Sequence, residues 1–567
     1  MSSKIVSLTN KMWHIKNNKN NLSDANEVSN ILLENRDVKD VGQFLNATIK
    51  HFMPDPFYFI DMKKAVARIT QAIKSKEKIV ILGDYDVDGV SSTAIFILLL
   101  KHLNAEHEYL IPSRFDDGYG LSIKNIEKYK DSLIIAVDCG SSAEEELRYA
   151  RENSVDIVII DHHKMSSIPE AAAIVNPHRP DERAEYRYLC ATGLVFICVT
   201  GINRELRESG FYQENKLKEP DLLDYVDLVA LATVCDVMDL VDLNRAFVST
   251  GLKIIKKRKN LGIDALVSVG KISNASSDSI AFFLGPRINA AGRLGSADVS
   301  VELLTTQNPI EARRLAVYLD DLNKERQQIE SQIIEEAMGR VSEDQNFICL
   351  YDSKWHPGVI GIVAGRLKEK YNKPTFIISI NEAGFGKASC RSINGIDIAD
   401  IIKRATKNGI LLSGGGHVTA AGFSIENTKI EKFIEFLKEE ITQPMLSKEL
   451  YADCFLSPNL ASIETAEHIS KLEPFGAGNL HPKFVVTNLK IVSHKIVGKN
   501  HLQIAFESDR GNSLNAISFK SLGTPLGDII MNYQKEDVIA LGTLSVSQWK
   551  GQECLSFYLE DIAAAIQ

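Results

Sequence analysis

Short apolar runs rich in isoleucine and valine recur in the first half of this chain. Three of them are I-V-I-L at 79–82, L-I-I-A-V at 133–137 and I-V-I-I at 157–160. A strand with one face in water alternates apolar and polar residues, and these runs do not, so they predict strands covered on both faces of a parallel sheet. Helices predicted at residues 91–103 and 142–153 would connect them by right-handed crossovers. The predicted fold class is therefore α/β.

Acidic residues or histidines stand at the end of each run. In chain order they are Asp84, Asp86, Asp88, Asp138, Asp161, His162, His163 and, after the run L-V-A-L-A-T-V-C, Asp236. We interpret that last run as a further strand. Parallel strands share one carboxyl edge, where open α/β sheets bind ligands. We therefore expect these side chains to converge, although 152 positions separate the first from the last.

The clustered carboxylates predict a site for two divalent metal ions. Without a counter-charge they would repel each other and raise one another's pKa, and bound cations remove that repulsion. Carboxylates alone suit magnesium, whereas carboxylates mixed with imidazole favour a borderline ion, so manganese is preferred and magnesium is the alternative. A single aspartate after a strand is often a helix cap, but that explanation does not account for the whole set.

An ordered set of motifs accompanies the triplet Asp161-His162-His163. The motifs are D-Y-D-V-D-G at 84–89, I-P-S-R-F-D-D-G-Y-G-L-S at 111–122, G-P-R-I-N-A-A-G-R-L at 285–294, H-P-G-V-I-G-I-V-A-G-R-L at 356–367, S-C-R-S at 389–392, G-G-G-H-x-x-A-A-G-F at 414–423 and E-P-F-G-A-G-N at 473–479. With them the chain resembles the DHH phosphoesterase superfamily, and within it the bacterial exonucleases specific for single-stranded DNA. The resemblance covers nearly the whole chain. The triplet alone is a weak signal, whereas the ordered set is specific.

The resemblance implies how the metal ions are held. Asp138 would bridge them; Asp86 with Asp84 would hold one ion, and Asp88, His162 and Asp236 would hold the other. The family motif often has a histidine where this chain has Leu82, which would weaken one of the two sites.

The remaining two residues of the triplet are assigned to catalysis beside Asp138. His163 would face the scissile phosphate and donate a hydrogen bond or a proton to the charge that develops there. Asp161 would orient a histidine rather than bind metal, as carboxylates behind metal-binding histidines commonly do. A packed histidine at a strand end is the alternative interpretation of His163.

Candidate contacts to phosphate and nucleic acid lie in the other motifs. They are Arg114, Arg287, Asn289, Arg293, Ser389, Arg391, Ser392, Gly414, Gly415, Gly416 and His417. Arginine forks with serine hydroxyls chelate phosphate oxygens, and glycines let backbone N–H groups approach a strand. Tyr119 would add stacking that does not depend on base sequence. The alternatives are surface ion pairs for the arginines and a simple turn for the glycines.

Five regions are expected along the chain. Residues 1–77 are predicted to be a helical lead-in, 78–250 the catalytic α/β domain, 251–345 a connecting region, 346–443 a second α/β domain and 449–567 an oligonucleotide-binding β-barrel. The connecting region contains an uninterrupted helical pattern from about 306 to 341, which predicts one long helix; two shorter helices broken near Asp320 and Asp321 are the alternative. The two α/β domains would enclose a central cleft.

The resemblance implies a 5′-to-3′ exonuclease that releases mononucleotides in recombination and repair. The alternatives are a phosphodiesterase of the same superfamily acting on short oligonucleotides or cyclic dinucleotides, and a non-catalytic subunit that binds single-stranded DNA. A terminal barrel favours a polymer substrate, and the complete ligand set disfavours a non-catalytic role. Implied partners are single-stranded DNA, single-strand-binding protein and a helicase, with the chain itself a monomer.

Composition supports an enzyme rather than a protein that coats nucleic acid. The net charge is −9, whereas coating proteins normally carry a basic excess. The run from Lys253 to Lys259 would either line a basic groove or form a solvated helix face. Eight cysteines without a C-x-x-C pair suggest neither a zinc site nor a disulfide framework. Without an apolar stretch of membrane-spanning length or a signal-peptide core, a cytosolic location is expected.

Overall fold

The computed structural model describes residues 3–19, 22–113, 120–342, 344–442, 448–509, 511–533, 537–549 and 552–565. The chain divides into two compact units. The larger unit comprises Phe52–Met238 and Leu243–Met445, and the smaller one comprises Met1–His51, Asp239–Asp242 and Leu446–Gln567.

The strands, in chain order, are β1 (Ser3–Val6), β2 (Met12–Asn17), β3 (Ile79–Gly83), β4 (His107–Leu110), β5 (Leu133–Val137), β6 (Ile157–Ile160), β7 (Ala173–Val175), β8 (Ile348–Asp352), β9 (Thr375–Ile380), β10 (Phe385–Arg391), β11 (Ser413–His417), β12 (Ala420–Glu426), β13 (Glu449–Leu456), β14 (Phe484–Val497), β15 (His501–Ser508), β16 (Ser513–Ser518), β17 (Asp537–Trp549) and β18 (Gln552–Ala564).

The α-helices are α1 (Ala25–Glu34), α2 (Val41–Leu45), α3 (Ile49–Phe52), α4 (Met62–Ser75), α5 (Val87–His102), α6 (Ile123–Lys128), α7 (Glu144–Glu152), α8 (Ala191–Glu208), α9 (Phe211–Glu214), α10 (Val226–Cys235), α11 (Asp242–Lys257), α12 (Leu261–Val269), α13 (Ser277–Ser279), α14 (Gly285–Leu294), α15 (Asp298–Thr305), α16 (Pro309–Met338), α17 (Ile360–Tyr371), α18 (Ile398–Lys407), α19 (Ile430–Glu440), α20 (Ile463–Ser470) and α21 (Pro525–Asn532). A π-helix, Ile280–Leu284, lies between α13 and α14.

The first sheet of the larger unit is parallel and has the order β4-β3-β5-β6-β7. Its register is fixed by pairs such as Leu82 with Ala136 and Ala136 with Ile159. Every residue of β3, β5 and β6 is buried, as the unbroken apolar runs predict. The α/β fold class is confirmed, and the carboxyl ends of β3, β5 and β6 meet at one edge.

The apolar run before Asp236 is a helix, so the strand predicted there was wrong. Residues 226–233 of α10 are all buried. A helix that is buried on all sides is apolar all round and shows no 3.6-residue period. Its sequence therefore could not be told from that of a buried strand by pattern alone. Asp236 is the C-cap of this helix rather than the residue after a strand.

The second sheet of the larger unit has the order β11-β12-β10-β9-β8. Its β8 and β9 are parallel, and β10, β11 and β12 are antiparallel to their neighbours. The glycine triplet 414–416 is not a simple turn but forms the middle of edge strand β11. Glycine is needed there because a Cβ on Gly414 would stand 2.5 Å from Cγ2 of Ile402, and one on Gly416 would stand 2.4 Å from the carbonyl oxygen of Ala420.

One continuous helix, α16, joins the two α/β regions, which confirms the single-helix prediction. At 1.5 Å per residue its 30 residues span about 45 Å. Its buried residues follow helical spacing along the whole length. Near its end, Ile333 and Ala337 enter the core of the second region with Val363 and Leu367 of α17.

The smaller unit contains a closed five-stranded barrel. Its strands follow the order β14-β15-β16-β18-β17, and β17 pairs back onto β14. The first described residues of the chain belong to the same sheet, because β2 pairs in parallel with β13. The helical prediction for the lead-in therefore fails for residues 3–17. Trp13 and Ile15 alternate with less buried neighbours, a period of two that indicates a strand.

Among the described residues, no helix is long and apolar enough to cross a membrane.

Candidate active site

The predicted metal ligands are delivered to one edge of the parallel sheet by strand ends and helix caps. Asp84 follows β3 directly, Asp86 is the N-cap of α5, and Asp88 lies in its first turn. Asp138 follows β5, and the triplet Asp161-His162-His163 follows β6. The convergence expected from the sequence is observed.

Three overlapping groups of these side chains could each hold a metal ion. They are Asp84, Asp86 and Asp138; Asp88, His162 and Asp236; and Asp138, His162 and His163. Within each group the candidate ligand atoms lie within 4.8 Å of one another. The first two groups correspond to the two predicted ligand sets. Asp138 belongs to the first group and also lies next to His162 of the second.

His162 is the centre of the second group. Its Nε2 lies 3.3 Å from Oδ1 of Asp138, 3.6 Å from Oδ2 of Asp236 and 3.7 Å from Oδ2 of Asp88. Three carboxylates around one imidazole nitrogen are a donor set that a divalent cation can use. Leu82, at the position of the family's histidine, is buried in β3 and offers no ligand atom.

Backbone amides fix the orientation of Asp88. Its Oδ2 accepts the N–H of Ala191 at 2.7 Å, and its Oδ1 accepts the N–H of Thr192 at 2.8 Å and the Thr192 hydroxyl at 2.5 Å. These donors lie at the start of α8, where the macrodipole also stabilises a carboxylate. No sequence motif signals this support, which only the fold brings within reach of Asp88.

The buried carboxylates of the candidate site repel one another. Burial, reinforced by the charge of Asp88, raises the pKa of Asp138 and of Asp86. The same causes raise the pKa of Asp236 to about 8. Asp138 also has a backbone φ of 61°, a conformation that costs non-glycine residues roughly 1–3 kcal/mol and is found mainly at functional sites. This donor chemistry fits divalent cations, which would neutralise the cluster.

Asp161 accepts hydrogen bonds from the two histidines that follow it and belongs to none of the three candidate metal-ligand groups. Its Oδ1 accepts hydrogen bonds from Nδ1 of His163 at 2.8 Å and from the N–H of His162 at 2.7 Å. Its Oδ2 accepts the N–H of Ser141 at 3.1 Å. Burial lowers the pKa of His163, but the hydrogen bond and charge of Asp161 more than offset this and raise it to about 9. Asp161 thus has the contacts of an orienting carboxylate.

Helix α14 packs against two of the segments that carry candidate metal ligands, and its glycines allow the contact. A Cβ on Gly292 would stand 2.7 Å from the carbonyl oxygen of Tyr85, between Asp84 and Asp86. A Cβ on Gly285 would stand 2.3 Å from Sγ of Cys235, the residue before Asp236. These glycines of the G-P-R-I-N-A-A-G-R motif therefore pack against the site. From the sequence, only the polar residues of that motif were assigned a role.

Two glycines of H-P-G-V-I-G connect α14 to the second α/β region. A Cβ on Gly358 would stand 2.1 Å from the carbonyl oxygen of Arg293, whose Nη1 in turn donates to the Gly358 carbonyl at 3.2 Å. A Cβ on Gly361 would stand 3.0 Å from Oγ of Ser389 and 3.5 Å from Nη2 of Arg391. The segment 356–361 thus touches both α14 and the predicted phosphate site.

Ser389 and Arg391 lie two residues apart on β10, on the same face of the sheet. Nη1 of Arg391 donates to Oγ of Ser389 at 3.2 Å. Ser392, predicted with them, is 6% exposed, and its hydroxyl donates to the carbonyl of Ile396 at 2.7 Å. We therefore correct its assignment: Ser392 stabilises the turn after β10, because it lies beyond the strand end.

An open groove of about 450 Å³ adjoins Ser389. Its lining includes Ser389, Lys387, Ser413, Gly414 and Gly422. Across β12, Gly415 is in register with Gly422, which pairs with Ser389. A Cβ on Gly415 would meet nothing within 4 Å, so space is open above it. His417, two residues further along β11, is exposed.

The other predicted nucleic-acid residues are placed as follows. Arg287 is ion-paired with Asp320 at 2.8 Å, and Asn289 is half-buried on the same helix, α14. Arg114 and Tyr119 lie outside the described residues. The basic run 253–259 is a solvated face: Arg258 and Lys259 form ion pairs with Asp264 and Asp224.

Three family models match the sequence. They are the DHH family, N-terminal domain, over residues 78–233; the DHHA1 domain, over residues 344–443; and the RecJ OB domain, over residues 452–561. The first match includes most of the candidate metal ligands, and the second includes Ser389 and Arg391 of the predicted phosphate site on β10.

Curated relatives match most of the chain. A Bacillus subtilis protein named single-stranded-DNA-specific exonuclease RecJ is 32% identical over 90% of this chain and 64% of its own length, so the chain spans slightly less than two thirds of that protein. The Haemophilus influenzae protein of the same name is 34% identical over 84% of this chain and 86% of its own length.

A solved structure shares the fold. The crystal structure of RecJ in complex with Mn²⁺ from Thermus thermophilus superposes with a TM-score of 0.80 at 26% identity. The match covers 95% of this chain and 76% of that one.

Proposed function

The chain belongs to the RecJ family of single-stranded-DNA-specific exonucleases, and we propose that it hydrolyses single-stranded DNA from the 5′ end and releases 5′-mononucleotides. The catalytic domain is assigned to residues 78–250, the second α/β domain to 346–443 and the oligonucleotide-binding barrel to 449–567. The observation that carries this proposal is the pair of ligand groups that meet beside Asp138.

Two divalent ions fit this donor set, with manganese preferred and magnesium as the alternative. Asp84, Asp86 and Asp138 would hold one, and Asp88, His162 and Asp236, with Asp138 shared, would hold the other. When bound, such a pair supplies an activated water and neutralises charge on the phosphate. The amides of Ala191 and Thr192 keep Asp88 in position before any ion binds.

His163 is assigned as the residue that protonates the leaving group. Its Nδ1 donates to Oδ1 of Asp161, and we assign Nε2 to the substrate. Water adds to phosphorus as the bond between phosphorus and the 3′ oxygen breaks. The imidazole would give its proton to that oxygen, leaving a free 3′ hydroxyl on the released nucleotide and a new 5′ phosphate on the strand.

The 5′ end would be held by the second α/β domain. Arg391 and Ser389 present a guanidinium and a hydroxyl on one face of β10 beside an open groove. The proposed binding surface for the 5′ end also includes the exposed backbone at Gly415 and Gly416 and the side chain of His417. Arg114, which belongs to the catalytic domain, is assigned to contact the same 5′ end. Asn289 and Arg293 are assigned to contact the DNA backbone further along the strand.

Selectivity for single strands is attributed to a cleft between the two α/β domains that is too narrow for a duplex. The spacing of those domains depends on α16, which packs against α12 and α14 along its length and enters the core of the second region near its end. Cleavage of blunt duplex DNA at a rate close to that of single strands would contradict this assignment. In the cell we expect the enzyme to act in the cytosol as a monomer, together with a helicase and single-strand-binding protein, in recombination and repair.

The test is digestion of single-stranded DNA labelled separately at each end, in Mn²⁺. The wild type should release the 5′ label first, as mononucleotide, and Asp138→Ala should lose this activity. Asp131→Ala is the matched control, because Asp131 is an exposed carboxylate in the turn before β5. Early release of the 3′ label would show that digestion runs from the 3′ end and would contradict the proposed 5′-to-3′ polarity. Hydrolysis of dinucleotides without cleavage of polymer would assign the chain to the small-substrate branch of the superfamily.

The end site has a separate test. Gly415→Ala adds one methyl group to open space, so the melting temperature should stay unchanged. If a DNA end lies against this strand, KM for 5′-phosphorylated oligonucleotides should rise several-fold. An unchanged KM would remove Gly415 from the end site.

A further inference from the structure

The π-helix Ile280–Leu284 exposes two adjacent phenylalanines. Phe282 is 71% exposed and Phe283 46%, while Ile280 and Leu284 at the two ends of the π-helix are buried. Leaving apolar side chains such as these in water forgoes the favourable free energy that burial of the rings would contribute. π-helices are rare and occur frequently at functional sites. Two exposed aromatic side chains on a π-helix therefore indicate a binding surface.

The π-helix that carries the pair packs against α10, whose C-cap is the candidate metal ligand Asp236. The π-helix leads directly into α14, whose first residue, Gly285, packs against Cys235, next to Asp236. Phe282 and Phe283 are therefore only three and two residues before a position in contact with a metal-binding segment.

Arg287 holds this part of the helix in place. Its Nη1 donates to the carbonyl oxygen of Phe283 at 2.8 Å, and its guanidinium lies 6.0 Å from the Phe283 ring centroid. Its Nε donates to Oδ1 of Asp320 at 2.8 Å, and its side chain is only 14% exposed. Arg287 thus acts as a positioning residue for Phe283, which refines the phosphate contact predicted from the sequence.

We propose that Phe282 and Phe283 form a stacking platform for nucleobases of the single-stranded DNA substrate beside the metal centre. Every base has a π-face, so such stacking contributes affinity without sequence preference, typically about 1–3 kcal/mol per base. That range corresponds to a loss of about 5- to 150-fold in affinity when the ring is removed. The inference rests on the proposed function and names a binding surface for its substrate.

The experiment compares a 5′-phosphorylated oligothymidylate with strands of the same length that carry one abasic site at successive positions. An abasic site keeps the phosphate charge and removes the base. For the wild type, KM should rise about tenfold when the abasic site occupies a stacked position. In Phe282→Ala/Phe283→Ala this penalty should disappear, and KM for the intact strand should rise to the level of the abasic one.

Two further variants separate stacking from other effects. Phe282→Trp/Phe283→Trp should retain the abasic penalty, whereas the leucine pair, which is apolar but lacks a π-system, should lose most of it. Phe385→Ala is the matched control, because Phe385 is 47% exposed on β10; it should behave as the wild type. Melting temperatures of all variants confirm that each is folded.

The outcomes distinguish the inference from the proposed function. If the wild type fails to degrade oligothymidylate, the proposed function fails. If it degrades the strand and the abasic penalty persists unchanged in the alanine pair, the platform is excluded. Unchanged DNA kinetics together with a loss of self-association in sedimentation would assign the phenylalanines to an interface between copies of the chain and also overturn the inference.

Discussion

Gly358 lies against the carbonyl group of Arg293 with no room for a side chain between them: a Cβ on Gly358 would stand 2.1 Å from that oxygen. This contact joins α14, which packs against segments that carry candidate metal ligands, to the segment that reaches Ser389 and Arg391. The spacing between the candidate metal site and the proposed phosphate site therefore depends on Gly358, which has no side chain to take part in catalysis or binding.

Gly358→Ala is expected to destabilise the larger unit by about 1–3 kcal/mol, because a methyl group pressed against a backbone carbonyl cannot be relieved by side-chain movement. Activity should fall more than stability, since both sites lose their relative placement. Gly365→Ala in α17 is the control: its Cβ would meet nothing within 4 Å, and alanine should stabilise the helix by about 0.5–1 kcal/mol. Equal melting temperatures and activities for the two variants would contradict this assignment.

Asp161→Asn should lower kcat about 10- to 100-fold and leave KM for single-stranded DNA nearly unchanged. The reason is that the charged acceptor that fixes Nδ1 of His163 is lost, while the metal ligands remain. Binding of Mn²⁺, measured by calorimetry, should be affected less than kcat. Asp131→Asn is the control with equal change of charge. A loss of Mn²⁺ binding as large as that in Asp138→Ala would make Asp161 a ligand instead.

Asp227 makes stability depend on pH. It is almost fully buried in α10, and Oδ2 has no hydrogen-bond partner among the described residues. Burial raises the pKa of Asp227 to about 7 from an ordinary value of 3.8, although the hydrogen bond that its Oδ1 accepts from the N–H of Leu228 opposes this.

The raised pKa of Asp227 determines how the free energy of unfolding changes with pH. Below about pH 4 both folded and unfolded states are protonated. Between about pH 4 and 7 only the unfolded state ionises, so the free energy of unfolding falls, by up to roughly 4 kcal/mol in total. Asp227→Asn should remove this part of the pH dependence in denaturant unfolding, whereas Asp131→Asn should keep it. Parallel curves for wild type and Asp227→Asn would show that Asp227 ionises at its ordinary pKa.

Mn²⁺ should stabilise the protein itself, independently of catalysis. The ions would neutralise buried carboxylates whose pKa values are raised, and binding to the folded state at 100 times Kd contributes about 2.7 kcal/mol. The melting temperature should therefore rise on titration with Mn²⁺ and fall again with chelator. Asp138→Asn should lose most of the rise and Asp131→Asn none. A rise that persists in Asp138→Asn would place the stabilising ion elsewhere.

The parallel sheet and its acidic edge could be predicted because both signals are local. Unbroken β-branched runs such as 157–160 indicate buried strands, and parallel strands share a carboxyl edge whatever connects them. The same reasoning failed for the run before Asp236, since a helix buried on all sides has no period. It also failed for residues 12–17, which pair with β13, more than 430 positions away in sequence.

By itself, the sequence determined the strands of the parallel sheet, the acidic and histidine set at its edge, the long helix and, through the ordered motifs, the family. These follow from periodicity, residue type and order. Only the tertiary structure decided which groups support that set: the amides of Ala191 and Thr192 on Asp88, the glycines of α14 against Tyr85 and Cys235, and the two phenylalanines left in solvent. Each depends on packing between segments distant in sequence, and burial and contact distance are properties of the folded chain.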